Sequence, residues 1–215
     1  MSITILDNKL WFPPVDATDE EGLLAIGGGL EIERLILAYR KGIFPWYEGP
    51  IPLWWCPDPR FVLFPGNLKL SKSMQKILAK NEFTFTINES FSQVIHACKN
   101  VARKGVDGTW INEDLIRSFI ELHDKGIAHS AEAWLDGKLV GGLYGIRMGN
   151  VFFGESMFSK ISNSSKFAFI KYMHVLAAQN VCIIDCQVFS EHLKSLGANF
   201  ISRDEFIKIL EKNIP

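Results

Sequence analysis

Between Ile127 and Val188 the chain spells three strands, a helix and one more strand, and that order limits the folds open to it. "IAHSAEAWL" and "KLVGGLYGIRM" meet at Asp136-Gly137, a pair suited to a two-residue hairpin turn with positive φ at both positions. The second run turns at Gly149-Asn150 into "VFFGESMF". "SNSSKFAFIKYMHVLAAQN" then reads as a helix of about four turns, and "VCIIDCQV" as a buried strand. A strand, a helix and a strand in succession predict a crossover with the flanking strands parallel and adjacent.

The flanking segments extend this pattern. "LSKSMQKILAKN" reads as a helix capped by Ser71, and "FTFTIN" alternates as a strand. Two helices follow, "SFSQVIHACKNVA" and "NEDLIRSFIELHDKG", the second capped at Asn112 and stopped by Gly126. After the last long strand come a short helix, "SEHLKSLG", a strand, "NFIS", and a helix whose Ser202 and Glu205 have capping-box spacing. The order is α+β with a mixed, mainly antiparallel sheet, and it fits a GNAT-like acyltransferase domain. In that fold the sheet opens where the strands flanking the crossover helix diverge, and the acyl donor lies in the opening.

The beginning of the chain differs. Residues 42–65, "GIFPWYEGPIPLWWCPDPRFVLFP", hold six of the nine prolines and predict loop and short strand. A short helix, Ile32 to Arg40, precedes them. We divide the chain into a small N-terminal domain, residues 1–65, and a catalytic domain, residues 66–215.

Composition narrows the function classes. No apolar run is long enough to span a bilayer, and the opening "MSITILDNKLWF" lacks the basic-then-apolar order of a signal peptide. The expectation is a cytoplasmic, soluble protein that does not engage membranes. A formal net charge of −1 gives no bulk attraction for nucleic acid, so an anionic partner needs a local basic patch. Cys182 and Cys186, in one strand, stand roughly 13 Å apart when extended, too far for a disulfide. Cys56 and Cys98 have no metal-type spacing to one another or to histidine, so no metal is expected.

The chemistry concentrates on two strands. In "IIDCQV" side chains alternate, so Ile184, Cys186 and Val188 share one face and Asp185 and Gln187 the other. In "FFGESMF" the same alternation puts Phe153, Glu155 and Met157 together and Phe152 opposite. If the strands are neighbours, Glu155 approaches Asp185 and Gln187. A lone strand Asp often only bonds a nearby backbone N–H. Three such groups in an apolar setting are harder to explain structurally, because each unpaired one costs about 1–3 kcal/mol. Cys186 faces away, which disfavours a thiol nucleophile. The set suits holding an amine and easing its proton away during acyl transfer.

Several blocks together resemble the bacterial leucyl/phenylalanyl-tRNA–protein transferases: "EGLLAIGGGL", "AYRKGIFPWY", "LWWCPDPR", "GTWI", "LHDKGIAHSAEAW", "LVGGLYG", "FFGESMFS", "IDCQV" and "SLGA". The resemblance implies an enzyme that moves Leu or Phe, with Met a further candidate, from charged tRNA to the N-terminal Arg or Lys of a protein. That marks the acceptor for degradation. No cofactor or ATP is implied, because the aminoacyl ester is already activated, and a monomer is expected. By motif, Asp185 and Gln187 match the catalytic pair, with Asp185 orienting Gln187 and Gln187 contacting the amine. Glu155 would recognise the aminoacyl end. Leu143, Phe152 and Met157 would line an apolar side-chain pocket, with Phe152 either needing a bulge to reach it or filling a second wall, and ordinary core is the alternative for all three. Trp46 and Trp110 match aromatics that hold the terminal adenosine, although Trp46 could instead pack the domains together.

A basic patch for the tRNA is also expected. Lys72, Lys76 and Lys80 recur on one helix face, with Lys69 just before it and Arg60 in "PDPR". A solvated lysine face is the plainer reading. Two other functions compete: a GNAT-type N-acetyltransferase using acetyl-CoA, and a non-catalytic tRNA-binding module. The first is weakened by "SKISNSSK" before the crossover helix, which has neither glycine nor arginine for a pyrophosphate.

Overall fold

The computed structural model describes residues 3–101 and 110–215. In chain order its elements are β1 (Thr4–Leu6), β2 (Leu23–Gly27), α1 (Ile32–Arg40), β3 (Phe44–Pro45), β4 (Leu53–Trp55), β5 (Arg60–Leu63), α2 (Lys72–Lys80), β6 (Thr84–Ile87), α3 (Phe91–Lys99) and α4 (Glu113–Asp124). Then follow β7 (Ala128–Leu135), β8 (Lys138–Met148), β9 (Val151–Ser159), α5 (Ser164–Ala178), β10 (Ile183–Gln187), α6 (Glu191–Ser195), β11 (Asn199–Ile201) and α7 (Arg203–Asn213).

The helix ends follow their local chemistry. Ser71, Asn112 and Ser202 accept from the backbone N–H groups of Met74, Leu115 and Glu205 at 3.2, 2.9 and 3.2 Å. The β7–β8 hairpin turns through Asp136 and Gly137 with φ of 50° and 72°, as a primed two-residue turn requires.

A seven-stranded sheet has the order β11-β5-β10-β9-β8-β7-β6, in which only β9 and β10 are parallel. Helix α5 makes the crossover between them, as the strand–helix–strand order predicts. A four-stranded sheet, β1-β2-β4-β3, lies in the N-terminal part. Strands β1, β3 and β4 have only two or three residues each, too few for sequence alternation to reveal them, and Pro45 sits on the edge strand, where a missing N–H costs least. Strand β5 lies before the division drawn at residue 65, yet it is inserted between β10 and β11 of the large sheet.

The large sheet separates two apolar cores. One joins α1, α3, α4 and α7 to Tyr144, Phe153, Phe158 and Ile183. The other joins α5 to Phe61, Leu143, Phe152 and Ile184, with Met157 packed against it. Phe153 and Met157 therefore do not share a face, contrary to simple alternation. The cause is a bulge: Tyr144 pairs with Ser156 and Gly145 with Gly154, leaving Glu155 as the extra residue. The bulge switches the strand's parity and brings Phe152 and Met157 to the same side. Gly145 permits it, because a Cβ there would come within 2.2 Å of the Phe153 carbonyl oxygen.

Candidate active site

Strands β9 and β10 pair only from Val151–Ile183 to Phe153–Asp185, and beyond that point they part. Two irregularities open the gap. One is the bulge at Glu155. The other is a register shift on β10, where Asp185 pairs with Val62 and Gln187 with Phe61, so that Cys186 is the extra residue. Gln187 has φ of +63°. The opening leads into a cavity of about 390 Å³, of the size expected for a small-molecule site.

Eight residues expected at the site line this cavity: Glu155, Asp185, Gln187, Trp46, Trp110, Leu143, Phe152 and Met157. Phe169 from α5, Leu193 from α6 and Ser190 complete much of the wall, and no sequence signal pointed to them. Trp46 is 43% exposed, so its ring is not consumed in packing, whereas Trp110 is buried. The Trp55 indole N–H donates to the Trp46 carbonyl at 2.6 Å and fixes the backbone beneath the exposed ring.

The polar wall is a connected chain. Gln187 Nε2 donates to Glu155 Oε1 at 2.9 Å, and the Tyr39 hydroxyl donates to the same oxygen at 2.8 Å. Asp185 Oδ1 accepts from the Gln187 backbone N–H at 2.9 Å. Arg60 binds Asp185 with two contacts, Nε to Oδ1 at 2.8 Å and Nη2 to Oδ2 at 2.7 Å. Arg60 and Asp185 are 1% and 0% exposed, and the guanidinium lies 4.7 Å from the ring centroids of both Phe44 and Phe206.

Arg60 therefore does not belong to the exposed basic patch expected from sequence. Its strand delivers it to the interior, where a charge persists because it is paired and stacked. Lys69, Lys72, Lys76 and Lys80 are all exposed. The three lysines of α2 lie opposite buried Met74, and Lys80 reaches Glu82 at 3.3 Å. The Lys69 N–H donates to the Leu196 carbonyl at 2.9 Å, which anchors the start of this row beside α6 and so beside the cavity wall.

Electrostatics divide the two acids. Burial, reinforced by the Asp185 charge, pushes the Glu155 carboxyl up to about 8, against the Tyr39 and Gln187 hydrogen bonds and the Arg60 charge, which lower it. Its Oε2 is buried and has no hydrogen-bond partner among the described residues. Burial also raises the Tyr39 hydroxyl well above the ordinary range, and the Glu155 charge adds to this. Burial pushes the Cys186 thiol up as well, which removes it as a thiolate nucleophile at neutral pH. Burial opposes the charge on Arg60, but the Asp185 carboxylate beside it more than compensates and raises the guanidinium further.

The start of α5 is a poor pyrophosphate cradle. Ser164 in its first turn is fully buried, and its hydroxyl donates to the Val140 carbonyl at 2.8 Å. Among the described residues no group of three or more His, Cys, Asp or Glu is placed to hold a metal. The cavity thus offers an apolar floor, a polar wall of two carboxyls and a carboxamide, and an aromatic rim.

Comparison with known proteins gives the family. The family model described as "Leucyl/phenylalanyl-tRNA protein transferase" matches residues 62–211, and that of the family's N-terminal domain matches residues 28–58. A leucyl/phenylalanyl-tRNA–protein transferase of Flavobacterium johnsoniae is 56% identical over 96% of this chain and 98% of its own. One from Syntrophobacter fumaroxidans is 48% identical over 100% of this chain and 92% of its own.

Proposed function

Because the chain belongs to the leucyl/phenylalanyl-tRNA–protein transferase family, an aminoacyltransferase family, we propose that it carries Leu or Phe, with Met a further candidate, from charged tRNA to the N-terminal Arg or Lys of acceptor proteins. The product would be marked for degradation. We further propose that it acts as a cytoplasmic monomer; among the described residues no helix is long and apolar enough to cross a membrane.

The observation that carries this reading is the hydrogen-bonded wall of Glu155, Gln187 and Asp185 above an apolar cavity at the point where β9 and β10 part. In the proposed reaction the acceptor's α-amine attacks the ester carbonyl. The new C–N bond forms, the bond from carbonyl carbon to ribose oxygen breaks, and a proton passes from the amine to the departing ribose oxygen. Gln187 has committed Nε2 to Glu155, so its Oε1 is the atom that can accept from the attacking amine. Oε2 of Glu155, which has no hydrogen-bond partner among the described residues, takes the donor's amino group, which removes the cost of leaving that oxygen buried and unbonded. Leu143, Phe152 and Met157 hold the donor side chain, and Met157 adapts to either an aliphatic or an aromatic group.

Trp46 and Trp110 hold the terminal adenosine, with stacking worth about 1–3 kcal/mol per base. Lys69, Lys72, Lys76 and Lys80 then meet the acceptor stem as phosphate contacts, which position without reading sequence. Helix α1 brings Tyr39 to Glu155, and the end of β3 brings Trp46 to the cavity.

The test is acceptor choice. Peptides beginning with Arg, Lys or Ala are offered together with tRNA charged with labelled Leu. Label on the Arg and Lys peptides alone supports the acceptor assignment. Equal labelling of the Ala peptide refutes it.

A further inference from the structure

We infer that Arg60 is a positioning residue of the transfer reaction: through Asp185 it holds Gln187 in the tight turn that brings the Gln187 carboxamide to Glu155. The inference rests on the proposed role of Gln187 at the reacting amine.

The strain is visible in the backbone. Gln187 is not glycine, yet its φ is +63°, and the Val188 N–H donates to the Cys186 carbonyl at 2.7 Å. That closes a three-residue turn around Gln187, a rare conformation that costs an L-residue about 1–3 kcal/mol. Such a turn persists only where its surroundings over-determine it.

Here the surroundings are specific. The Gln187 N–H is held by Asp185 Oδ1 at 2.9 Å, and that oxygen is itself fixed by Arg60 Nε at 2.8 Å. Arg60 Nη2 holds the second oxygen, so the carboxylate cannot rotate. The guanidinium is clamped between Phe44, from the N-terminal sheet, and Phe206, from α7. Arg60 stands one residue before Phe61, the β5 partner of Gln187 across the register shift. The turn, the shift and the ion pair therefore form one unit, and Gln187 Nε2 meets Glu155 at its end.

A planar fork is needed for this. Lysine would keep the charge but supply one point contact in place of two parallel ones, and it would lose the stacking on both rings. The Asp185 carboxylate would then be free to turn, and the carboxamide would move with it. A misplacement of about 1 Å at a reacting centre costs on the order of a hundredfold in rate.

The experiment is a double-mutant cycle on transfer of labelled Phe from charged tRNA to a peptide beginning with Arg. It compares wild type, Arg60→Lys, Arg60→Met, Gln187→Ala and both double variants, with melting curves for each. Arg60→Lys is expected to lower kcat tenfold to a hundredfold, by roughly the cost of such a misplacement, with KM for charged tRNA and its salt dependence unchanged. In the Gln187→Ala background the same change is expected to cost no more than about twofold, within the scatter of independent effects. Arg60→Met is expected to behave alike where it folds, and Arg60→Lys carries the test where it does not.

Wild-type kcat in Arg60→Lys, an equal fold-loss in both backgrounds, or a loss confined to KM overturns the proposal. If neither Arg60 variant folds, the role is structural and the proposal fails. Wild-type transfer by Gln187→Ala has a different meaning: it removes the role of Gln187 itself, and the inference about Arg60 falls with it.

Discussion

The carboxamide of Gln187 donates to Glu155 Oε1 at 2.9 Å, joining two strands at the point where their backbone ladder has ended. The β9–β10 opening is thus bridged by side chains alone. That bridge ends on the buried carboxyl of Glu155.

Stability should report its titration. The Glu155 carboxyl is raised from an ordinary 4.5 to about 8 in the folded protein. The folded state therefore holds the proton more tightly than the unfolded one. The resulting stabilisation is complete below pH 4.5 and is lost as pH rises toward 8. Glu155→Gln mimics the protonated acid and should lose this dependence. Melting temperatures at pH 5, 6.5 and 8 are expected to show the variant gaining on wild type at each step. Parallel profiles would contradict the assignment.

Tyr39 should matter through Glu155. Its hydroxyl donates at 2.8 Å from α1 and lowers the carboxyl's affinity for its proton. Tyr39→Phe is expected to cost about 1 kcal/mol of stability, a typical net value for one hydrogen bond. It should also raise the pH at which Glu155 ionises, which can be read as a shift to higher pH of the stability profile just described. An unshifted profile would separate the two residues.

The apolar floor should set donor preference. Met157 is only partly buried and lines the cavity, so Met157→Ala should leave the fold intact and weaken the grip on Leu. A loss of about tenfold in kcat/KM for Leu, with a smaller loss for Phe, follows from one side chain's worth of contact, about 1–3 kcal/mol. Phe152 is unsuitable for this test. It is fully buried with its ring 5.2 Å from Tyr172, and truncation to Ala is expected to cost about 3–5 kcal/mol of stability. Competition between the two charged tRNAs is the measurement.

The lysine row makes a different kind of prediction. If Lys72, Lys76 and Lys80 contact phosphates, changing all three to Ala raises KM for charged tRNA. It should also flatten the slope of log affinity against log salt by about two to three. The value of kcat should change little, because none of the three lines the cavity. An unchanged salt slope would leave the row as a solvated helix face.

Much of this structure is legible in short stretches. Caps at Ser71, Asn112 and Ser202, the Asp136-Gly137 turn and the strand–helix–strand order each depend on neighbours in the chain. The polar residues Asp185, Gln187 and Glu155 stood out because they interrupt apolar strands. What could not be seen depends on distant partners. Arg60 looks like a surface charge in "PDPR", and only a partner 125 residues away explains its burial. Tyr39 meets Glu155 across 116 residues. The bulge at Glu155 is a property of two strands together, so alternation along one strand put Met157 on the wrong face. In the N-terminal sheet only short strand within residues 42–65 was legible, and the pairing was not: β3 has two residues, and β1 and β4 have three each, too few for a period to show.

One measurement tests the central claim most directly. Labelled Leu on tRNA is offered to a peptide beginning with Arg, with wild type and with Asp185→Ala, and labelled acetyl-CoA replaces the charged tRNA in a parallel sample. Label is predicted to reach the peptide from tRNA and not from acetyl-CoA, and the rate in the variant should fall by on the order of a hundredfold or more. An undiminished rate in Asp185→Ala would detach the reaction from this cavity. Label arriving from acetyl-CoA in place of tRNA would contradict the account altogether.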